Sequence, residues 1–335
     1  MKLDLNRKGE RRMQTKREAM LAIYRGEMPE FIPAERLTMD GVVFPGDRDF
    51  GPEKVGTDMW GVSWTKLGPD PGLDGSVVTP GTELFDDIEE WKKYVKFPEV
   101  EKLPLQDIFD GMLKASGVNR EEQVVSCLML SGQFERLNEM MGMENALCAF
   151  YESPEAVHEY MEAMCEYKLK CIDLAYQYVK PDVIHMQDDW GSSQNMLFSP
   201  EIWREFIKPN EKRYADRIHE LGMLYEHHSC GYITQIIPDL VEIGVDVINP
   251  LNVCNDMEMI KREYGDKITL KGGIDNQLLD QGECNEEQIR RETRRAMDAY
   301  AAGGRYIPAF VYTRQDVLDI FNDEVTKYGA VIYKK

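Results

Sequence analysis

The stretch LYEHHSCG, residues 224–231, places two histidines and a cysteine at the end of a short apolar run. The chain has five histidines and seven cysteines, so three of these twelve residues fall within four positions. Side chains of an extended strand alternate between its faces, so Glu226, His228 and Cys230 point one way and Tyr225, His227 and Ser229 the other. A carboxylate aimed at an apolar helix layer is costly, which turns the Glu226 set inward. Imidazole and thiolate two residues apart on one face can share an ion, and thiolate softness favours zinc over magnesium or calcium. Glu226 is the expected third ligand or a partner behind the ligands, and Cys254, after the next strand, is a further candidate. Two other readings remain: a Cys–His nucleophile pair, which lacks an orienting third group, and an inert buried cysteine.

Other polar residues fall at similar positions. The strand VIHMQDDWG ends in Gln187, Asp188 and Asp189; VDVINPL ends near Asn249; LKGGID ends near Asp275; YIPAFVY ends in Tyr312. Asp188, Asp189 and Tyr312 are the candidates for acid/base work, and Gln187, Asn249 and Asp275 for substrate contacts. The alternative for the aspartate pair is helix capping and loop ordering.

These residues need elements to hold them. From about residue 123, short β-branched or apolar runs alternate with long helical patterns: VVSCLML, DVIHMQDD, MLYEHHS, VDVINPL, ITLKGG and RYIPAF each precede a helix. Ser-Pro pairs at Ser153 and Ser199 read as helix starts. Six strand–helix units, with two further strands expected near 31–35 and 60–64, predict a single α/β domain of the (β/α)8 TIM-barrel type. No glycine-rich phosphate turn supports the rival open sheet. In such a barrel the strand C-termini form the active face, and the candidates above gather there. Residues 37–86 are dense in Gly, Pro and Asp and predict an irregular lid or pocket wall, with Trp60 and Trp64 in it. Residues 1–13 predict a loose basic extension.

Composition narrows the function. With 60 acidic and 40 basic residues the net charge is −20, a field that repels nucleic acid. No run approaches the length of a membrane span, the N-terminus lacks a secretory apolar core, and an odd cysteine count argues against a disulfide framework. A cytoplasmic protein is expected, acting on a small molecule, with a homodimer as candidate assembly.

The stretches DDWGSSQNMLFSPEIWREFIKP, HHSCGYITQIIPDLVEIGVDVINPL and YGDKITLKGGID, with GGRYI, resemble the uroporphyrinogen decarboxylase superfamily over roughly residues 180–310. An echo of it lies in TKREAMLAIYRGEMPEFIP. The resemblance implies a (β/α)8 barrel. The decarboxylases themselves carry an N-terminal arginine stretch for a tetrapyrrole's carboxylates; here that region reads IPAERLTMDG, in which Arg36 stands alone. The resemblance therefore points to the cobalamin-dependent branch, which moves methyl groups between small substrates and a corrinoid. It implies zinc on a His-x-Cys pair, matched by His228 and Cys230, with a later third ligand whose position holds Tyr312. It also implies a corrinoid carried by a partner protein that docks at the barrel mouth. The alternatives are metal-free decarboxylation using a carboxylate such as Asp188, and a non-catalytic corrinoid- or ligand-binding barrel.

Overall fold

A computed structural model describes residues 12–46, 55–66, 76–280, 284–310 and 314–334. In chain order its strands are β1 (Met39–Val43), β2 (Gly56–Thr57), β3 (Ser63–Lys66), β4 (Ser76–Val78), β5 (Val124–Met129), β6 (Val183–Gln187), β7 (Leu224–His228), β8 (Val247–Leu251), β9 (Thr269–Gly273) and β10 (Tyr306–Ala309). A seven-stranded sheet runs β1-β5-β6-β7-β8-β9-β10, and every neighbouring pair is parallel. Parallel neighbours in sequence order, separated by helices, make the barrel-type fold expected of the alternating pattern.

All six alternating strands are present. The two further strands are not barrel strands. Residues 31–35 lead into a 3-10 turn, Glu35–Leu37, and residues 63–66 belong to a separate antiparallel sheet, β2-β3-β4. The strand beside β5 is instead β1, inside the segment expected to be irregular. Its sequence, MDGVV, holds Asp and Gly among its apolar residues, which hid it. Among the described residues the barrel thus has seven strands, and the Glu35–Leu37 turn lies beside β10.

Strand alternation stacks the interior in layers. At the base, Val124, Val183, Val247 and Ile307 pack against Met20, Leu21, Ile23 and Tyr24 of the first helix, Lys16–Tyr24. This helix plugs the N-terminal end of the barrel. A capping box starts it: Thr15 accepts from the Glu18 N–H, and Glu18 accepts from the Thr15 N–H at 2.7 Å. Two residues further along each strand come Ser126, His185, Glu226, Asn249 and Lys271, a polar layer above an apolar one.

The small antiparallel sheet is tied down by Asp58. Its carboxylate accepts from the Trp60 and Val62 N–H groups, from Trp64 Nε1 at 3.0 Å and from Arg136 Nη1 at 2.8 Å, all buried. Trp60 and Trp64 are core residues, 2% and 5% exposed, so they do not wall a pocket. Ser199 caps its helix through the Ile202 N–H, as the Ser-Pro pair predicts. Ser153 precedes the helix Pro154–Tyr178 but gives its hydroxyl to Glu89 instead. Among the described residues no helix is long and apolar enough to cross a membrane.

Candidate metal centre and cavity

The turns after β6 and β7 meet backbone to backbone. Gly231 has φ +80°, and a Cβ there would fall 2.4 Å from the Gly191 carbonyl carbon. Tyr232 N–H donates to Ser192 O at 2.7 Å and Trp190 N–H to Ser229 Oγ at 2.9 Å. Only glycine allows this approach, and it brings Asp189, on one turn, beside Cys230 on the other. Cys230 N–H donates to Asp189 Oδ1 at 2.7 Å.

The result is a cluster of three unlike donors. Cys230 Sγ lies 3.4 Å from His228 Nε2, which lies 3.6 Å from Asp189 Oδ1; the ligand atoms of all three residues fall within 4.8 Å of one another. Tetrahedral zinc with bonds of about 2.0–2.3 Å separates its ligands by about 3.3–3.8 Å. The two measured separations fit that requirement, and nitrogen, sulfur and oxygen are all zinc donors. Burial, then His185 and His227, hold the His228 imidazole well below its ordinary pKa, so its lone pair stays available near neutrality. Burial and then the Asp189 carboxylate push the Cys230 thiol up, so a bound cation would have to draw off its proton.

The structure places the other predicted residues as follows. Glu226 faces inward as alternation requires, but outside the three-residue cluster. It is fully buried and accepts from Lys271 Nζ at 2.7 Å, Asn249 Nδ2 at 2.8 Å, His185 Nδ1 at 3.0 Å and the Tyr24 hydroxyl. Four donors leave it no capacity for an ion, and Asp189 stands in the position expected of it. Asp188, 1% exposed, turns away and accepts the N–H groups of Phe134 and Glu135, at 3.1 and 2.7 Å, at the start of the helix Gln133–Met141. Burial, partly offset by those two N–H groups, lifts its carboxyl to about 7. That is the geometry of the helix-capping alternative. Asp275 accepts from the Leu278 N–H and lines a separate recess with Glu292 and Arg295. Gln187 and Asn249 line a cavity with His228. Cys254 is exposed on the next loop. Tyr312 lies outside the described residues.

That cavity, of about 500 Å³, opens at the strand C-termini, where the alternating pattern put the active face. Its apolar lining residues include Met39, Val42, Leu128 and Phe310, and its polar ones His185, Asn249, Lys271 and Glu35. The strand bodies were read as apolar, so His185 and Lys271 were missed. The argument used for Glu226, a charged or ring-nitrogen residue mid-strand on the inward phase, would have found both. Lys271 Nζ also reaches Glu35 Oε1 at 2.5 Å, which ties the turn before β1 to β9. Burial pulls the Lys271 pKa down, but Glu226 and Glu35 outweigh it, so the group remains an ammonium.

Comparison with known proteins bears on this arrangement. A curated relative, the methylated-thiol–coenzyme M methyltransferase of Methanosarcina mazei, is 25% identical over 171 residues, 50% of this chain and 43% of the relative. The chain thus matches less than half the length of that protein. A solved structure, a methyltransferase from Methanosarcina mazei, superposes with a TM-score of 0.64 at 14% identity, covering 96% of this chain and 99% of the other. At that identity the likeness speaks for the fold. The family model described as uroporphyrinogen decarboxylase (URO-D) matches residues 30–310, from just before the Glu35–Leu37 turn through β10. The match takes in every barrel strand, the cavity and all three residues of the cluster, and the chain belongs to the uroporphyrinogen decarboxylase family.

Proposed function

We propose that this protein is a methyltransferase of its family, moving a methyl group between a small methylated substrate and a corrinoid carried by a partner protein that docks at the barrel mouth. Zinc would be held by Asp189, His228 and Cys230. The observation that carries this reading is the convergence of imidazole, thiol and carboxylate within 4.8 Å beside a cavity at the active end of the barrel. The activity named for the Methanosarcina mazei relative supports it.

Zinc bound there would supply Lewis-acid polarisation of the substrate heteroatom, or a lowered pKa if the substrate is a thiol. The chain's own residues do the rest. Burial keeps His228 neutral, and the Cys230 N–H fixes the Asp189 carboxylate. Asn249 is held by Glu226, so its amide is oriented toward the cavity it lines, and Gln187 sits between the cavity and Glu135. On transfer the methyl group leaves without its bonding pair, which stays on the heteroatom; Tyr312, which follows β10 in the sequence, is a candidate to manage the accompanying proton.

Decarboxylation of a porphyrinogen is less well supported, because Arg36 is the only arginine among the described residues lining the cavity. Elemental analysis tests the proposal. It requires one zinc per chain in the purified protein, lost in Cys230→Ser, together with methyl transfer to or from reduced cobalamin in the zinc-loaded wild type. A zinc-free protein that releases carbon dioxide from a porphyrinogen would overturn it.

A further inference from the structure

The part of the cavity lined by Lys271 and Glu35 has a composition that the proposed metal chemistry does not use. Lys271 is 4% exposed and shares its ammonium between Glu226 and Glu35. The two carboxylates differ. Glu226 is saturated by four donors. The Glu35 carboxylate meets Lys271 through Oε1 and has no other side-chain polar partner among the described residues. Its side chain is 18% exposed and lines the cavity, as does Lys271. A primary ammonium has three N–H bonds, and two are committed here. Lys271 therefore keeps one donor and Glu35 one acceptor oxygen, side by side, where the cavity ends against the turn before β1.

Charge selects what such a pair can bind. Lys271 meets two carboxylates, those of Glu226 and Glu35, at 2.7 and 2.5 Å. An anion placed on Lys271 would lie against both of these carboxylates and be repelled by them. An aliphatic or aryl end with no polar atom leaves a donor and an acceptor unmatched, and unmatched buried polar groups discriminate strongly. A hydroxyl satisfies both: it accepts from Lys271 and donates to Glu35. The apolar lining residues Met39, Val42, Leu128 and Phe310 suit an apolar body between the two ends. The cavity volume far exceeds that of a one-carbon methyl donor.

We propose that Lys271 and Glu35 form a specificity subsite for a neutral hydroxyl on the untransferred end of the substrate. The substrate class is a small molecule with an apolar body, a methylated or methyl-accepting heteroatom at one end and a hydroxyl at the other. This rests on the methyltransferase reading above, because the cluster is taken to hold the heteroatom. His185 is a positioning residue of the same cavity, held to Glu226 with its ring 5.6 Å from that of His228.

The test measures binding, not turnover. Zinc-replete protein is titrated calorimetrically with thiols of three to six carbons that share a sulfur end and differ at the other: mercaptoalkanols, chain-matched alkanethiols, mercaptocarboxylates and aminothiols. The mercaptoalkanol is expected to bind about tenfold tighter than the alkanethiol of equal length, the size of effect that hydrogen bonds to charged groups supply. It should also bind tighter than the carboxylate and the amine. Glu35→Gln, at a partly exposed position, keeps the fold and turns one of the two carboxylate oxygens into an NH2 donor. The alcohol preference should fall below twofold, and the carboxylate should gain because one of the two carboxylates beside Lys271 is gone. Equal binding of alcohol and alkane, or tightest binding of the carboxylate or the amine, with zinc intact, overturns the subsite alone. Absence of zinc together with absence of thiol binding overturns the subsite and the methyltransferase reading together.

Discussion

Replacement of Lys271 by methionine probes the energetics of the barrel interior most directly. In the wild type, burial pushes the Glu226 carboxyl up, but Lys271 and then His185 outweigh it and hold the group well below the ordinary carboxylate range. Methionine removes the larger of the two cations, leaving Glu226 fully buried and depriving Glu35 of its ion-pair partner. Breaking a buried pair from one side costs about 3–5 kcal/mol. Unfolding entropy of roughly 2.1 cal/mol/K per residue over 335 residues is about 0.7 kcal/mol/K. The expected loss in Tm is therefore about 4–7 °C. The pH dependence has a definite sign. The wild-type contribution of Glu226 is present above its unfolded pKa of about 4.3 and is lost only as pH falls through its lower folded value. In Lys271→Met burial dominates and the Glu226 pKa rises above the unfolded value, so the variant gains stability as pH falls from 8 to 5 and the group takes up a proton. Urea and thermal unfolding of both proteins at pH 8, 6.5 and 5 should show the gap narrowing toward acid. The double variant Glu226→Gln, Lys271→Met should recover much of the loss. A loss below about 1 kcal/mol, or a gap independent of pH, would refute the view that this pair is a buried ion pair holding the polar layer together.

The adjacent aspartates separate cleanly by variant. Asp188→Ala leaves two helix N-terminal N–H groups without an acceptor and should cost about 1–3 kcal/mol in urea unfolding with zinc retained. Asp189→Ala should leave the unfolding midpoint of the zinc-free protein nearly unchanged while weakening zinc binding, read by competition with a chromogenic chelator. The reverse pattern would exchange the roles assigned to the two carboxylates. Asp58→Ala removes the acceptor shared by Arg136, Trp60, Val62 and Trp64. It should release the β2-β3-β4 sheet to limited proteolysis within residues 55–78 at conditions where the barrel resists cleavage. Tyr24→Phe removes one donor from Glu226 and loosens the plug helix. A loss of about 1–2 kcal/mol is expected, and an unchanged midpoint would place the tyrosine outside the network.

Much of the architecture is legible without coordinates. Six β-branched or apolar runs, each followed by a long helical pattern, dictate parallel strands in sequence order, because a crossover of that length returns the chain beside the strand it left. Period-two alternation along LYEHHSC determined which side chains look inward and put His228 and Cys230 on one face. Both are local properties of consecutive residues. Local sequence was weakest where pattern was weakest: β1, with Asp and Gly among its five residues, was passed over, and WGVSW read as a barrel strand although it belongs to a small antiparallel sheet.

What only tertiary structure decided is partnership. Glu226 shares a strand face with His228 and Cys230, yet its carboxylate goes to Lys271, His185, Asn249 and Tyr24, which come from three other strands and the plug helix. Asp189 reaches Cys230 because Gly191 and Gly231 let two turns touch, a contact between residues 41 positions apart. Alternation specifies direction along one strand. Which groups occupy the space that a side chain enters depends on the register of neighbouring strands and the closeness of their turns, and those are set by the closure of the whole barrel.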